Sequence, residues 1–119
     1  MVTYTNQGNY LLVEVNENYS FKLVKKLVHQ IVAYGKKENL NKILLDLRKM
    51  DGDFKIIDRY EIGLEVAKVW GEDIQVASLA KESEINFLVE NVAVNRGAKL
   101  RVFSKLEPAL EWLNVTDKE

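Results

Sequence analysis

The sequence contains no cysteine, a single proline and a single histidine. Without cysteine the chain has no disulfide, no thiolate metal site and no thiol nucleophile. The one histidine, His29, gives zinc few ligands and has no acid at helical spacing, so we expect an ordinary solvated residue. No apolar run approaches the roughly 20 residues that span a bilayer, and residues 1–8 lack the segments of a signal peptide. We expect a cytoplasmic protein with no transmembrane segment, no metal and no cofactor.

Serine and threonine are missing from the middle of the chain. Neither serine nor threonine occurs between Phe21 and Ala77, although this stretch holds the most strand-like segment, at 42–48, and the acidic loop that follows at 49–53. The carboxyl ends of buried strands are where open α/β sheets place their ligands and chemistry. This strand end offers no hydroxyl or thiol, and we therefore expect no enzymatic activity.

Length and charge limit the number of domains and the kinds of partner that the chain is expected to have. The chain has 119 residues, 47% hydrophobic and 29% charged, which suits one compact domain over residues 1–119. Its net charge of -1 provides no field that would draw it to nucleic acid or to an anionic membrane. The glycines match neither G-x-G-x-x-G nor a P-loop, so no nucleotide site is indicated.

Hydrophobic periodicity predicts the element order ββαβαβαβα. Strands that alternate with helices imply an α/β domain in which about four helices pack on a central, mostly parallel, five-stranded sheet. The first two strands are short and are joined by residues 6–9, which indicates a hairpin. The predicted strands are 2–5, 10–15, 43–47, 74–80 and 100–103. The predicted helices run from an N-cap at Ser20 to Gly35, over 55–70, over 83–96 with Ser83 as N-cap, and from a capping box at 104–107 with Pro108 in its first turn.

Several segments together resemble the SpoIIAA-like family of STAS domains. They are the strand Lys-Ile-Leu-Leu-Asp-Leu-Arg at 42–48 with its acidic loop, Ile-Gln-Val-Ala at 74–77, and the ending at 100–113 with Leu-Arg-Val-Phe and Ala-Leu-Glu-Trp-Leu. The resemblance covers almost the whole chain and implies a STAS/SpoIIAA-like fold. It also implies a non-catalytic protein-interaction module of a regulatory complex. In the family's anti-sigma factor antagonists, a serine entering the helix after the central strand is phosphorylated to release a partner.

The corresponding stretch of this chain, at 46–58, keeps aspartates but has no serine. Phosphorylation adds about -1.5 to -2 charge and needs a hydroxyl to accept it. The resemblance therefore implies an interaction module without the family's phosphorylation switch. Its partner-binding loop is expected to comprise Asp46, Arg48, Asp51, Asp53 and Asp58.

Two interpretations of these aspartates are open. Asp51, Asp53 and Asp58 place fixed negative charge near the start of the helix at 55–70, where they mimic a permanently phosphorylated loop. Alternatively they only stabilise the helix, because the macrodipole favours acids at its N-terminus by about 0.3–1 kcal/mol each.

The two middle helices carry more apolar residues than one buried stripe requires. On the helix at 55–70 the expected core stripe is Ile56, Tyr60, Leu64 and Ala67, which leaves a second seam of Ile62, Val66 and Val69. On the next helix, Phe87 and Val94 point away from the expected core stripe. Either these residues pack against neighbouring helices, or they form a homodimer or partner surface.

Two functional classes follow. The first is the STAS-like interaction module, with a protein partner or a second copy of the chain. The alternative is a binder of a small apolar or lipid-like molecule, since SpoIIAA-like domains are similar in architecture to Sec14-type lipid-binding domains and surplus apolar residues can line a pocket between helix and sheet.

Overall fold

The computed structural model describes residues 1–52 and 54–115. Within these ranges the chain forms five strands and four α-helices in the predicted order. The strands are β1 (Val2–Asn6), β2 (Leu11–Val15), β3 (Lys42–Asp46), β4 (Gln75–Leu79) and β5 (Lys99–Phe103). The helices are α1 (Phe21–Glu38), α2 (Ile56–Trp70), α3 (Leu88–Val94) and α4 (Leu106–Leu113).

The strands form one sheet in the order β1-β2-β3-β4-β5. The β1–β2 pair is antiparallel, and every later pair is parallel and joined through a helix. Because side chains alternate between the faces of a strand, each strand contributes to two cores. Leu11, Ile43 and Val76 face α1, α2 and α3, whereas Leu44 and Ala77 face α4. The predicted α/β class with a mostly parallel five-stranded sheet is confirmed, and its identity as a STAS domain stays a prediction.

The first helix begins where its sequence predicts but ends three residues later than predicted. The Ser20 hydroxyl accepts a hydrogen bond from the backbone N–H of Leu23 at 3.0 Å, which satisfies one of the free donors of the first turn. The helix continues past Gly35 to Glu38 and ends where Asn39 adopts a left-handed conformation with φ 56°. Gly35 lies within the last turns of the helix. Its lack of a side chain lets the chain after the helix pass close by, since an added Cβ would lie 2.8 Å from the carbonyl oxygen of Leu40.

The predicted helix over 83–96 is wrong in its first half. Glu82–Glu84 form a single 3-10 turn, and α3 begins only at Leu88. Ile85 between them has extended backbone at φ −63° and ψ 128°. The N-cap Phe87 makes no side-chain cap, and Asn86 Oδ1 instead accepts a hydrogen bond from the N–H of Leu88 at 2.8 Å. The segment therefore crosses the end of the sheet as a turn rather than as helix.

The capping box predicted at 104–107 is also wrong. The N-cap of α4 is Lys105, which makes no side-chain cap hydrogen bond, so Ser104 lies one residue too early for this role. Pro108 lies in the first turn of the helix as predicted, where its missing N–H costs no hydrogen bond.

The buried face of α2 is the reverse of the predicted one. Ile62 and Val66, predicted as partner surface, are 3% and 2% exposed, whereas Ile56 and Tyr60, predicted as core, are 77% and 42% exposed. The physical reason is that Ile62 and Val66 continue at four-residue spacing to Trp70, which is 2% exposed. The Trp70 indole donates to the carbonyl oxygen of Val28 on α1 at 2.8 Å and fixes this orientation of the helix.

The other three residues of the predicted surface differ in how far they are exposed. Val69 is half-buried and packs against the core of α1, α2 and α3, which agrees with the interpretation that this seam packs against neighbouring elements. Phe87 and Val94 are 50% and 45% exposed. Their exposure agrees with the prediction, and their role as an interaction surface stays a prediction.

Candidate functional site

A cavity of about 410 Å³ lies between the sheet and the helices α1, α2 and α3. It includes the carboxyl-terminal halves of β3 and β4, as the topology of an open parallel sheet favours. Most of its wall is apolar, with Leu27, Ile31, Leu45, Ile62, Val66 and Trp70 among the lining residues.

The sheet supplies the cavity floor through one row of aligned residues. Leu45 of β3, Ser78 of β4 and Val102 of β5 are register partners on adjacent strands and all line the cavity. Ser78 is 6% exposed and is the one buried polar side chain among residues 1–52 and 54–115. No described residue forms a hydrogen bond with its hydroxyl, which leaves this donor and acceptor available inside the cavity.

Close packing of α2 and α3 forms the helical wall. Gly63 of α2 permits this approach, since an added Cβ would lie 2.7 Å from Cβ of Val92 and 3.1 Å from the carbonyl oxygen of Val89. The far end of the cavity is lined by Trp70, whose indole N–H is already bonded to α1. The interior therefore presents hydrocarbon and the aromatic ring rather than free polar groups at that end.

The other end of the cavity is a mouth formed by the loop after β3, the first turn of α2 and the turn after β4. Phe54 lines the cavity here, and its ring centroid lies 3.7 Å from that of Tyr19. The Arg59 guanidinium carbon lies 4.6 Å from the Phe54 ring centroid, in the geometry of a cation–π contact. Phe54 and Arg59 both line the cavity.

A hydrogen bond fixes the mouth beneath this aromatic pair. The Tyr19 hydroxyl donates to Asp58 Oδ2 at 2.9 Å. Burial, followed by this hydrogen bond to the carboxylate, raises the pKa of Tyr19 to about 12. The phenol therefore stays protonated as a donor at neutral pH, and it ties α2 to the loop that precedes α1.

The predicted partner-binding loop is held by contacts within the chain. Asp46 lies at the end of β3 on the face opposite the cavity and pairs with Arg48, with distances of 3.0 Å to Nε and 2.8 Å to Nη2. Burial opposes ionisation of Asp46, but the hydrogen bonds from Arg48 outweigh it and lower the pKa of the carboxyl. The same contact raises the pKa of Arg48.

The other aspartates of the loop do not form one cluster. Asp51 pairs with Lys81 at 2.5 Å, and its carbonyl oxygen accepts a hydrogen bond from the N–H of Tyr19 at 2.6 Å. Asp58 accepts the Tyr19 hydroxyl, and Asp53 lies outside the described residues. The partner-binding role of Asp46, Arg48, Asp51, Asp53 and Asp58 stays a prediction.

His29 has an acidic partner that sequence spacing does not reveal. Its Nε2 lies 2.6 Å from Glu65 Oε2 on α2, although the histidine side chain remains 57% exposed. This hydrogen bond is the main cause of the lowered pKa of Glu65. The pair links α1 to α2 at the protein surface, outside the cavity.

Sequence reasoning did not single out Ser78 or Arg59. Ser78 is the one serine of the strand predicted at 74–80, and a polar residue inside an otherwise apolar strand was the available signal. Arg59 carried no such signal, because its position over Phe54 depends on how the loop and α2 meet.

Two other kinds of feature were sought in the described part of the chain. No group of three or more histidine, aspartate or glutamate side chains there is arranged to hold a metal ion. Nor does any helix in residues 1–52 and 54–115 have the length and apolar character needed to cross a membrane.

Comparison with models of protein families finds no match for this sequence, and comparison with curated proteins finds none either. The resemblance to SpoIIAA-like STAS domains therefore rests on the residues and the element order alone.

Proposed function

We propose that this protein binds a small, largely apolar molecule in the cavity between its sheet and α1, α2 and α3. The observation that carries the proposal is the cavity itself, about 410 Å³ in volume and walled mainly by aliphatic side chains. Ligand sites are typically about 300–1,000 Å³, mostly apolar, with a few polar groups that orient the ligand. Ser78 inside the cavity and Arg59 at its mouth are groups of this kind.

The cavity is an open pocket with a mouth to solvent rather than an enclosed void. Its volume of about 410 Å³ lies within the range of small-molecule sites, and its mainly apolar lining with a few polar groups near the mouth is typical of such sites.

Native mass spectrometry of the protein purified gently from its source tests the proposal, because it detects a bound molecule, an oligomer and a partner together. The second measurement is binding of an environment-sensitive apolar dye to the ligand-free protein. Ala80→Phe adds bulk to the cavity wall and is expected to abolish dye binding. Val94→Phe, on the exposed side of α3, is the matched control and is expected to bind dye normally. Equal binding by both variants contradicts the proposal.

A second candidate is the STAS-like interaction module. What supports it, beside the resemblance, is exposed apolar surface: Ile56, Ile57 and Tyr60 on the first turns of α2 are 77%, 61% and 42% exposed. Scattered exposed apolar residues are ordinary, but three within five positions next to the predicted partner-binding loop favour an interface. The partner is a protein or a second copy of this chain.

Light scattering of wild type and of Ile57→Asp separates these partners. Self-association predicts a dimer in the wild type that Ile57→Asp dissociates, with Lys68→Asp as the control on the same helix. A wild type that remains monomeric at high concentration excludes the second copy, and a search for a bound protein by native mass spectrometry then tests the other partner.

A further inference from the structure

We infer that the molecule bound in the cavity is an amphipathic monocarboxylate, a fatty-acid-like chain whose carboxylate lies beside Arg59 and whose tail extends toward Trp70. The inference rests on the proposed function and specifies the chemical class of its ligand. It depends on how polar and apolar groups are distributed along the cavity, and on which charges at the mouth are already paired.

The cavity wall is apolar at its far end and carries its polar side chains nearer the mouth. Its far end closes on Ile31, Val66 and Trp70, which present no free polar group. These side chains are 0%, 2% and 2% exposed, so a tail that reaches them must displace them slightly. The polar side chains among its lining residues belong to Ser78 near the end of β4, to Arg59 and to the turn at 83–86. A molecule with one polar end and one apolar end matches this gradient.

The charge at the mouth favours an anion. Arg59 is the one cationic side chain that lines the cavity, and it forms no ion pair or hydrogen bond with any residue in 1–52 or 54–115. The nearby acid Asp58 instead accepts a hydrogen bond from Tyr19. Contact with the Phe54 ring holds the guanidinium at the mouth, and no residue in the described part of the chain accepts a hydrogen bond from its N–H donors.

One acid, Glu84, also lines the cavity. Lys81, on the same turn, is already paired with Asp51 at 2.5 Å, and Glu84 forms no ion pair with any residue in 1–52 or 54–115. The carboxylate of a ligand is therefore expected beside Arg59 on α2 and away from Glu84 on the turn after β4. A guanidinium binds a carboxylate through two parallel hydrogen bonds, and it neutralises one negative charge, which favours a monocarboxylate over a dianion.

The chain offers a convenient reporter for the test. It has two tryptophans, of which Trp70 lines the cavity and Trp112 packs on the opposite face of the sheet. In the Trp112→Phe protein the fluorescence therefore reports on the cavity alone. Three ligands with the same tail are titrated: laurate, dodecanol and dodecylammonium, each below the concentration at which it aggregates.

Laurate is expected to bind about tenfold or more tightly than dodecanol, since one charge-assisted pair contributes about 1.4 kcal/mol or more. Dodecylammonium is expected to bind most weakly. Arg59→Gln is expected to remove the preference for laurate and to leave dodecanol binding unchanged. Arg59→Lys keeps the positive charge but cannot form the two parallel hydrogen bonds, so it is expected to give an intermediate preference. Arg101→Gln is the matched control, because Arg101 lies over Phe103 at 5.4 Å on the opposite face of the sheet.

The outcomes separate the two proposals. Dodecanol or dodecylammonium binding as tightly as laurate overturns the monocarboxylate and leaves the apolar ligand site intact. A preference for laurate that survives Arg59→Gln, in protein shown to be folded by circular dichroism, also overturns the role of Arg59. Failure of all three ligands to alter Trp70 fluorescence counts against the proposed function itself.

Discussion

The two faces of the sheet are packed in different ways. On one face a single helix, α4, covers Leu44, Ala77 and Leu79, all at most 2% exposed, and its own Leu113 is completely buried. On the other face three helices cover the same strands yet enclose about 410 Å³. Both faces bury strand residues completely, since Ile43 and Val76 on this face are 0% exposed. This face also opens into the pocket, where α2 and α3 pack closely on each other at Gly63, and it is therefore the face suited to hold a ligand.

Matched leucine truncations should give the largest effect. Leu113→Ala on the α4 face is expected to lower the free energy of unfolding by about 2–5 kcal/mol, since it leaves a new cavity in close packing. Leu45→Ala, on the face with the existing cavity, is expected to cost less because that side chain already lacks neighbours on one side. Urea unfolding of both variants without ligand measures the difference, and equal losses would remove the proposed contrast between the faces.

Gly63→Ala should disturb only the face with the cavity. The new Cβ would lie 2.7 Å from Cβ of Val92, so α3 must move away from α2. The expected loss in the free energy of unfolding is about 1–3 kcal/mol, the usual range for overpacking. Ala at exposed Lys68 of the same helix is the control. Dye binding should change in Gly63→Ala and stay normal in Lys68→Ala, and a stable Gly63→Ala protein with normal dye binding would contradict this account.

A pair of neighbouring substitutions on β4 should change stability in opposite directions. Ala77→Ser puts a hydroxyl into the close-packed α4 face and is expected to cost about 1–3 kcal/mol. Ser78→Ala removes the buried hydroxyl that no described residue satisfies, and is expected to leave the ligand-free protein unchanged or more stable by up to about 1 kcal/mol. Thermal unfolding measures both. A clear loss of stability in Ser78→Ala would show that its hydroxyl has a structural partner rather than a place in the ligand site.

The smallest effect should come from the Asp46–Arg48 pair at the rim of the α4 face. The pKa of Asp46 is lowered in the folded protein, so the pair contributes stability above the unfolded pKa of about 4, and this contribution is lost as pH falls through the folded value. Arg48→Gln should raise the Asp46 pKa, as measured by NMR titration. It should lower stability by under about 1 kcal/mol at neutral pH, because the pair is partly exposed. If Arg48→Gln remains less stable than wild type at low pH, where Asp46 is protonated, the lost stability does not come from the ion pair.

Much of the architecture was predictable because its signals are local. The β-prone run at 10–15 predicted β2, the continuous apolar run at 43–47 predicted β3, and Ser20 marked the start of α1. The buried face of α2 was not predictable from its own stripe, because the helix carries apolar residues on two sides and the indole of Trp70 selects one through Val28 on another helix. Local spacing likewise misplaced the caps at Ser83 and Ser104.

The candidate site was less predictable than the fold. The predicted aspartates of the acidic loop are paired within the chain wherever the structure describes them, at Asp46, Asp51 and Asp58. The pocket residues come from six helices and strands and the loops between them. No stretch of sequence shows that Arg59 forms no ion pair within residues 1–52 and 54–115. Distances between residues remote in sequence determine which charges are paired, and spacing along the chain does not report them.

The sequence by itself determined the α/β class, the element order, the parallel core strands, and the absence of any serine or threonine between Phe21 and Ala77 that could serve as a phosphorylation switch. Only the tertiary structure decided which side of α2 is buried, and that α1, α2 and α3 enclose a cavity with Ser78 inside it and Arg59 at its mouth. The physical reason is that periodicity sets which residues share a face of one element, whereas a cavity depends on how closely several elements approach.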